Sequence, residues 1–308
     1  MIRYFKNILK HEAIDGTIHC GDYQRTAPAL LEANFTVQLP SIFDENYISY
    51  IKEYAVSNKI NIIIPLLDYE LNKLSAAKQD FLNSDIIILI SEPIIIDYGQ
   101  DKRNTKYFFE KAGLLTPNIF DKVENIQNYP VFLKPAKGSA SIGAKKVSSY
   151  KDLSFNLNEI DDPIIQEYID GTEYTIDAWF DLQGHLKCIV PRRRIEVRSG
   201  EVSKGITEKD NSIISDVQKL TKSYQGFLGC ITFQCIKTEN SDNYFIEMNP
   251  RFGGGIPLSI AAGANFPKAL IYDFLGNKTD EEFYKWKNGL AMLRYDQGLY
   301  IQGKDIGL

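Results

Sequence analysis

Two short, almost unbroken apolar runs limit most severely what this chain can fold into. INIIIPLLD occupies residues 60–68 and IIILIS residues 86–91. Each is far shorter than the roughly 20 apolar residues of a membrane span. A strand with one wet face would alternate polar and apolar side chains, and these do not. They therefore predict strands covered on both faces, as in a parallel sheet flanked by helices. The segment between them, 69–82, reads as a helix. Residues 44–58 (DENYISYIKEYAVSN) read as another, with Asp44 as its N-cap. Upstream, GTIHCGD and FTVQLP (35–40) read as strands. The alternation over residues 1–97 predicts a small doubly wound α/β domain.

From Tyr98 the pattern changes. Residues 101–112 (DKRNTKYFFEKA) read as a helix that stops at Gly113. Up to about residue 250 the strands are shorter and alternate more, as in VFLKP, EYTIDAWFD, LKCIVPRRR, CITFQCI and NYFIEMN. A helix is expected over 210–226, and 257–276 reads as mostly helical. This is the pattern of antiparallel sheets with a few helices. A length of 308 residues agrees with two domains and a sizeable core.

Charge narrows the function. Lys and Arg number 35 against 40 Asp and Glu, a formal net charge of −5. That balance argues against a dedicated nucleic-acid binder. The histidines (His11, His19, His185) and cysteines (Cys20, Cys188, Cys230, Cys235) show no CxxC or HExxH spacing, which excludes a zinc finger. The cysteines sit in apolar strand-like runs, as expected for reduced thiols in a cytoplasmic protein. MIRYFKNILKHEAIDG lacks the uninterrupted apolar core of a signal peptide. The chain starts directly on a helical pattern (Ile2, Phe5, Ile8, Leu9), where an α/β domain usually opens on a strand.

Four segments carry chemistry. FLKPAKGSASIGAKKV, 132–147, encloses Ser139, Ala140, Ser141 and Ile142 between Gly138 and Gly143. The GxxxxG spacing is that of a P-loop, but Lys and Ser/Thr do not follow the second glycine. A flap between antiparallel strands fits better, with small residues letting backbone N–H groups approach an anion. Lys134 and Lys137 add charge. Taken alone, the segment is equally a plain Gly/Ser hairpin loop. In IIQEYIDGTEYTID, 164–177, an extended backbone suits an adenine edge, and a carboxylate beyond the Asp170-Gly171 turn suits a ribose. Taken alone, it reads rather as a hairpin with surface acids.

The third segment is CITFQCIKTENSDNYFIEMNPRFGGG, 230–255. If the hairpin folds symmetrically about Asn240 and Ser241, Gln234 lies opposite Glu247. Asn249, two residues on, shares its face. These three make an all-oxygen cluster of the kind Mg²⁺ takes when nucleotide phosphates supply the remaining ligands. Arg251 lies at the same edge, followed by Gly253, Gly254 and Gly255. In PRRRIEVRSGEVSKG, 191–205, Arg192, Arg194, Glu196 and Arg198 alternate onto one face ahead of a loop with Ser203 and Lys204. Such a face is usually just solvated, but it is also able to receive an anionic substrate and stabilise a transferring phosphoryl group.

In this order the motifs resemble those of the ATP-grasp superfamily, above all the modules of the carbamoyl-phosphate synthase large subunit and its short stand-alone relatives. FIEMNPR (245–251), with Gln234 in place of an acid upstream, carries most of the resemblance. It implies a Rossmann-like α/β N-terminal (pre-ATP-grasp) domain over 1–97. An α+β ATP-grasp domain would follow over 98–308, with a lid subdomain at about 113–168. It implies that Lys102 and Lys134 contact ATP phosphates under a lid running from Gly138 to Gly143, with Ser139 and Ser141 within it. Glu167 and Ile169 would offer backbone atoms to adenine, and Glu173 would hold the ribose. Gln234, Glu247 and Asn249 would hold Mg²⁺, or Mn²⁺ in its place. Arg251, with Lys204 and Arg194, would stabilise the phosphoryl-transfer transition state.

The implied activity is ligation of a small carboxylate to an amine or other nucleophile through an acyl phosphate. No nucleic-acid or membrane partner is expected, and homodimers are common among such relatives. Relatives open with a strand and a glycine turn before the first helix. That strand is missing here, and a substrate contact from its turn with it. The alternative is a nucleotide-binding protein that kept the fold and lost turnover.

Overall fold

The computed structural model describes residues 1–138 and 142–306. Helix α1 (Ile2–His11) leads into strand β1 (His19–Asp22), which pairs in parallel with β2 (Phe35–Gln38). Helix α2 (Tyr47–Ser57), β3 (Ile62–Ile63), α3 (Leu71–Leu82) and β4 (Ile87–Ile88) follow, with β3 and β4 parallel. The expected parallel alternation is present, but in two separate two-stranded pieces. The long apolar runs give only two strand residues each. Pro65 lacks the N–H that would continue the first, and Ile90 N–H turns back onto Ile88 O (2.8 Å) in the second. Both runs are nonetheless core: Ile86, Ile88 and Ile90 pack with Leu71, Leu74 and Phe81.

Two local expectations change. Helix α2 starts at Tyr47 after Asn46, not at Asp44; Asp44 instead accepts the N–H of Asn46 (2.8 Å) in a turn ahead of the helix. A helix absent from the sequence reading, α4 (Pro93–Gln100), carries proline at its first position, where a missing N–H costs nothing. Its apolar III continues the look of the preceding strand, which hid it. Helix α5 (Lys102–Lys111) follows, with Asp101 accepting the N–H of Arg103 as N-cap.

A four-stranded antiparallel sheet comes next, in the order β5 (Ile119–Phe120), β8 (Pro163–Glu167), β6 (Val131–Pro135), β7 (Lys145–Val147). Helix α6 (Tyr150–Leu157) closes its small core of Val131, Leu133, Val147, Leu153 and Ile165. The largest sheet has six antiparallel strands. Its order is β13 (Asn243–Asn249), β12 (Gly229–Lys237), β9 (Thr172–Phe180), β10 (Leu186–Arg198), β11 (Glu201–Thr207), β14 (Ala291–Leu293). Helix α7 (Asn211–Ser223) and α5 pack on one face, against Ile176, Ala178, Ile231, Phe233 and Phe245.

The other face of this sheet changes character along its strands. At one end Trp179, Val190 and Cys230 form a core with α1, α8 (Ile256–Ala262) and α9 (Phe266–Phe274). Two residues further along each strand stand Asp177, Arg192 and Thr232. Two further still stand Thr175, Arg194 and Gln234, with Glu173 next along β9. The period of two thus carries one face from an apolar core into a polar site.

Candidate functional site

A cavity of about 220 Å³ lies between β6 and β8 of the smaller sheet and β9, β12 and β13 of the larger. Phe132, Ile169, Ile236 and Ile246 give it apolar walls. Lys102, Lys134, Glu167, Glu173, Gln234 and Glu247 line it with charge and amide groups. An apolar slot with convergent polar groups at one end is what a heteroaromatic anion needs.

At the cationic side Lys134 is only 7% exposed. Burial pushes its pKa down to about 8, with nearby Glu247 partly restoring the charged form and Lys102 opposing it. Burial also lowers the pKa of Lys102, against the attraction of Glu247, Asp101 and Asp68. Lys102 Nζ donates to Gly138 O (2.9 Å) at the start of the glycine-rich segment. Two buried ammonium groups held this way favour an anion arriving between them. Gly138 and Gly143 have φ of 100° and 74°, conformations that suit glycine. Gly138 lines the cavity; Gly143 does not, and packs near the Pro135 ring instead. Ser139 and Ser141 lie outside the described residues.

At the end of β8, Glu167 N–H donates to Asn118 O (2.8 Å), and Glu167 Oε2 accepts both the backbone and side-chain N–H of Asn118 (3.2 Å each). The carboxylate is thus tied back, leaving the strand end and Ile169 to the cavity. Gly171 is required at the turn, since a Cβ there would stand 2.3 Å from Lys237 O.

Gln234 pairs directly with Glu247, as the sequence reading expects. The route differs: the register near the turn is offset by one, and a bulge that leaves Ile246 unpaired restores it. The same bulge lets Ile246 line the cavity beside Glu247. Asn249 Nδ2 donates to Glu247 Oε1 (2.7 Å), which leaves the Asn249 carbonyl oxygen as its group suited to a cation. The set Gln234, Glu247 and Asn249 is hard and all-oxygen, but has one carboxylate. Among the described residues no group of three or more His, Cys, Asp or Glu forms a metal site. The set therefore fits a divalent cation whose remaining ligands are phosphate oxygens.

The arginines divide. Arg194 Nη1 donates to Glu173 Oε1 (2.5 Å) and Gln234 Oε1 (3.0 Å), so it stands inside the site, and its Nε is buried with no partner among the described residues. Burial raises the pKa of Glu173, with the Arg194 guanidinium opposing the rise. Arg192 is not on a solvated face: it is 1% exposed and pairs bidentately with Asp177 (2.7 and 2.9 Å), because the apolar end of the sheet covers it. Ser203 and Lys204 lie on strand β11, not in a loop. Lys204 Nζ pairs with Glu196 (2.6 Å) and does not line the cavity.

Arg251 holds Asp68 of the loop after β3 in a bidentate pair, 2.8 and 2.6 Å. Asp68 and Asn249 line a second, smaller hollow, which shares Lys102, Gly138 and Glu247 with the larger cavity. Asp68 was invisible as a site residue in the sequence, since no spacing links it to a residue 183 positions away. Phe132 and Ile236 were within reach, being two residues from Lys134 and Gln234 on the same strand faces.

Comparison with known proteins agrees with the two-part fold. A family model described as "ATP-grasp in the biosynthetic pathway with Ter operon" matches residues 159–297, and one described as "PylC-like, N-terminal domain" matches residues 1–89. A D-alanine–D-alanine ligase of Fusobacterium nucleatum is 26% identical over 160 residues, which is 48% of this chain and 55% of that protein. A 3-methyl-D-ornithine–L-lysine ligase of Methanosarcina barkeri is 26% identical over 159 residues, 48% of this chain and 40% of the relative. A carbamoyl-phosphate synthase of Methanobrevibacter smithii is 24% identical over 137 residues, 41% and 37%. The chain thus spans about half or less of these relatives' lengths. Among solved structures, the biotin carboxylase domain of Hydrogenobacter thermophilus 2-oxoglutarate carboxylase shares the fold, with a TM-score of 0.71 at 18% identity, covering 92% of this chain and 69% of that one. An L-amino acid ligase from Bacillus licheniformis gives 0.68 at 17%, covering 87% and 70%. Residues 159–297 thus match an ATP-grasp family and residues 1–89 a PylC-like N-terminal domain, on a fold that these solved ATP-grasp-type structures share.

Proposed function

We propose that this protein is an ATP- and Mg²⁺-dependent ligase that joins a small carboxylate to an amine through an acyl phosphate. One observation carries the reading. A single cavity sets two burial-depressed lysines, Lys102 and Lys134, against Gln234 and Glu247, with Asn249 bonded to Glu247 from the adjoining hollow. Phosphoryl transfer needs charge neutralisation and alignment rather than a covalent catalyst, and this cavity is arranged for both. The named ligases among the relatives, and the biotin carboxylase neighbour solved in complex with MgADP and bicarbonate, support the assignment.

In this reading adenine lies between Phe132, Ile169 and Ile236, reached by backbone atoms of Glu167 and Ile169, and Glu173 takes the ribose. Lys102 and Lys134 hold the phosphates, under the segment between Gly138 and Gly143. Gln234, Glu247 and Asn249 would hold Mg²⁺, which when bound would supply neutralisation of phosphate charge. A carboxylate oxygen attacks the γ-phosphorus and the bond to ADP breaks. The amine nitrogen then attacks the acyl carbon, phosphate leaves with the C–O electron pair, and the nitrogen sheds one proton. Arg251, assisted by Arg194, stabilises the charge of the transferring group, whereas Lys204, held by Glu196 outside the cavity, takes no part. The domain division that accompanies this is 1–97 and 98–308, with α4 crossing the boundary and the small sheet as lid over about 113–168. Among the described residues no helix is long and apolar enough to cross a membrane, and we assign the activity to the cytoplasm.

The test is phosphate release from ATP across a panel of carboxylate and amine pairs. Release that needs both partners is expected. ATP binding with no release from any pair would instead identify a nucleotide-binding protein without turnover.

A further inference from the structure

Glu201 is a carboxylate that the phosphate and cation groups do not use. The hairpin of β10 and β11 turns at Ser199 and Gly200, both with positive φ (51° and 79°), and Glu201 opens β11. Arg194, in the cavity wall, donates from Nη2 to Gly200 O (3.1 Å), so the turn is tied back to the site. The Glu201 carboxylate then lies on Gly254, three residues after Arg251. A Cβ at Gly254 would stand 2.0 Å from Glu201 Oε2 and 2.6 Å from its Cδ. The Gly254 backbone is outside the left-handed region, so it is this close approach that calls for glycine there.

Glu201 is thus placed between the two arginines of the site. Burial opposes the charge of Arg251, and Asp68, Glu247 and Glu201 support it. The other acids nearby are engaged: Asp68 by Arg251, Glu173 by Arg194, and Glu196 by Ser203 and Lys204. Among the described residues the one ion pair of Glu201, to Arg294 Nη1, is 4.0 Å long, and that nitrogen already donates to Val202 O (3.1 Å). The side chain is half-exposed, so its oxygens are open to a ligand arriving from solvent.

This is what a nucleophile entering the site lacks elsewhere. At neutral pH a primary amine is an ammonium ion with no electron pair to give. The arginines that serve the transferring phosphoryl group repel it. It needs an anion at its place of entry and an acceptor for a proton. Resting on the ligase reading above, we propose that Glu201 receives the nucleophile as its ammonium ion and relays the proton that it must lose. One N–H bond breaks, its electron pair stays on nitrogen, and the proton passes to the Glu201 carboxylate and on to water. Glu201 is then a specificity residue that selects protonated amines over neutral nucleophiles, and Gly254 is the seat of its carboxylate.

The experiment compares wild type with Glu201→Gln, Glu201→Asp and Gly254→Ala. The last keeps the charge but displaces the carboxylate. Each protein is given ATP and a panel of small carboxylates, paired with primary amines or with hydroxylamine. Hydroxylamine is neutral at neutral pH and traps an acyl phosphate as a hydroxamate without first losing a proton. Nucleotide-induced thermal stabilisation confirms in each variant that the ATP site is intact. In Glu201→Gln the ratio of kcat/KM for amines to that for hydroxylamine should fall by roughly ten- to a hundredfold, the size of one charge-assisted hydrogen bond. Gly254→Ala should show the same fall, and Glu201→Asp should keep part of the ratio. An equal loss with both nucleophiles, or no loss, would overturn the role of Glu201 while the ligase reading stands. A wild type that gives neither hydroxamate nor phosphate with any member of the panel would overturn both.

Discussion

Gln234 stands directly across the β12–β13 ladder from Glu247, and its Oε1 accepts Arg194 Nη1 at 3.0 Å. Glu247 is thus the one carboxylate in its cluster, while the charge of Arg194 is met by Glu173 at 2.5 Å. Glu247 also supports the charged forms of both Lys102 and Lys134. In the proposed cation site, replacing it would remove the one anionic ligand, and it also takes away the support that Glu247 gives to the two ammonium groups. Glu247→Ala is expected to lower MgATP-dependent phosphate release by on the order of 100-fold or more. The circular dichroism spectrum should stay that of wild type. Full turnover in the variant would refute the cation assignment.

Lys134 gives the site a pH dependence whose sign is fixed. Its pKa in the fold is about 8, below the ordinary 10.5, because burial disfavours the ammonium. Below pH 8 it is charged in both folded and unfolded chains, and the folded chain carries the full desolvation cost. Between pH 8 and about 10.5 the unfolded chain binds the extra proton, so the Lys134 contribution to stability rises with pH. Nucleotide binding should run the other way. Phosphates favour the ammonium, so ATP affinity is expected to fall above pH 8 by up to about tenfold per unit, with one proton taken up on binding. Calorimetry in buffers of different ionisation enthalpy would measure that proton. Lys134→Arg, which stays charged, should remove the part of the dependence that Lys134 contributes, leaving that of Lys102.

The N-terminal alternation, the antiparallel strands and the Gln234–Glu247 pairing were legible because each rests on local period or on one hairpin. Their details were not. The pairing holds only through the bulge at Ile246, and no residue in FIEMN announces a bulge. Arg192 and Arg194 look alike in PRRR, two residues apart on one face. One is buried against Asp177 and the other stands in the cavity wall, because the sheet face turns from core to site between them. Asp68 meets Arg251 through the packing of the two parts of the chain, which no one-dimensional pattern records.

The Asp170-Gly171 turn makes a prediction that separates fold from site. A methyl group on Gly171 would lie 2.3 Å from Lys237 O and 2.8 Å from Lys237 C, both backbone, so the end of β12 must move. Ile169 and Glu173 flank the turn and line the cavity. Gly171→Ala is expected to cost about 2 kcal/mol of stability, in the range of overpacked sites, and to weaken nucleotide binding. Chemical denaturation and nucleotide titration would read the two effects. Unchanged affinity in a destabilised variant would show that this turn does not position the nucleotide.

The Arg192–Asp177 pair lies one layer beneath the site, 1% and 0% exposed at the side chains, with Ser259 Oγ donating to Asp177 Oδ2 at 2.5 Å. Arg192 Nη1 has no partner among the described residues. It faces Gly255, where a Cβ would stand only 2.3 Å away. Two charges in so dry a place are stabilising only while both are present. Asp177→Ala leaves a buried guanidinium without its counter-charge and is expected to cost about 3–5 kcal/mol. Arg192→Met leaves the carboxylate with Ser259 and should cost somewhat less. Joining Arg192→Met with Asp177→Leu removes both desolvated charges, so the double variant is expected to be more stable than either single one. Urea unfolding of the four proteins measures this coupling. Simple additivity of the two losses would mean that the pair acts as two independent packing groups.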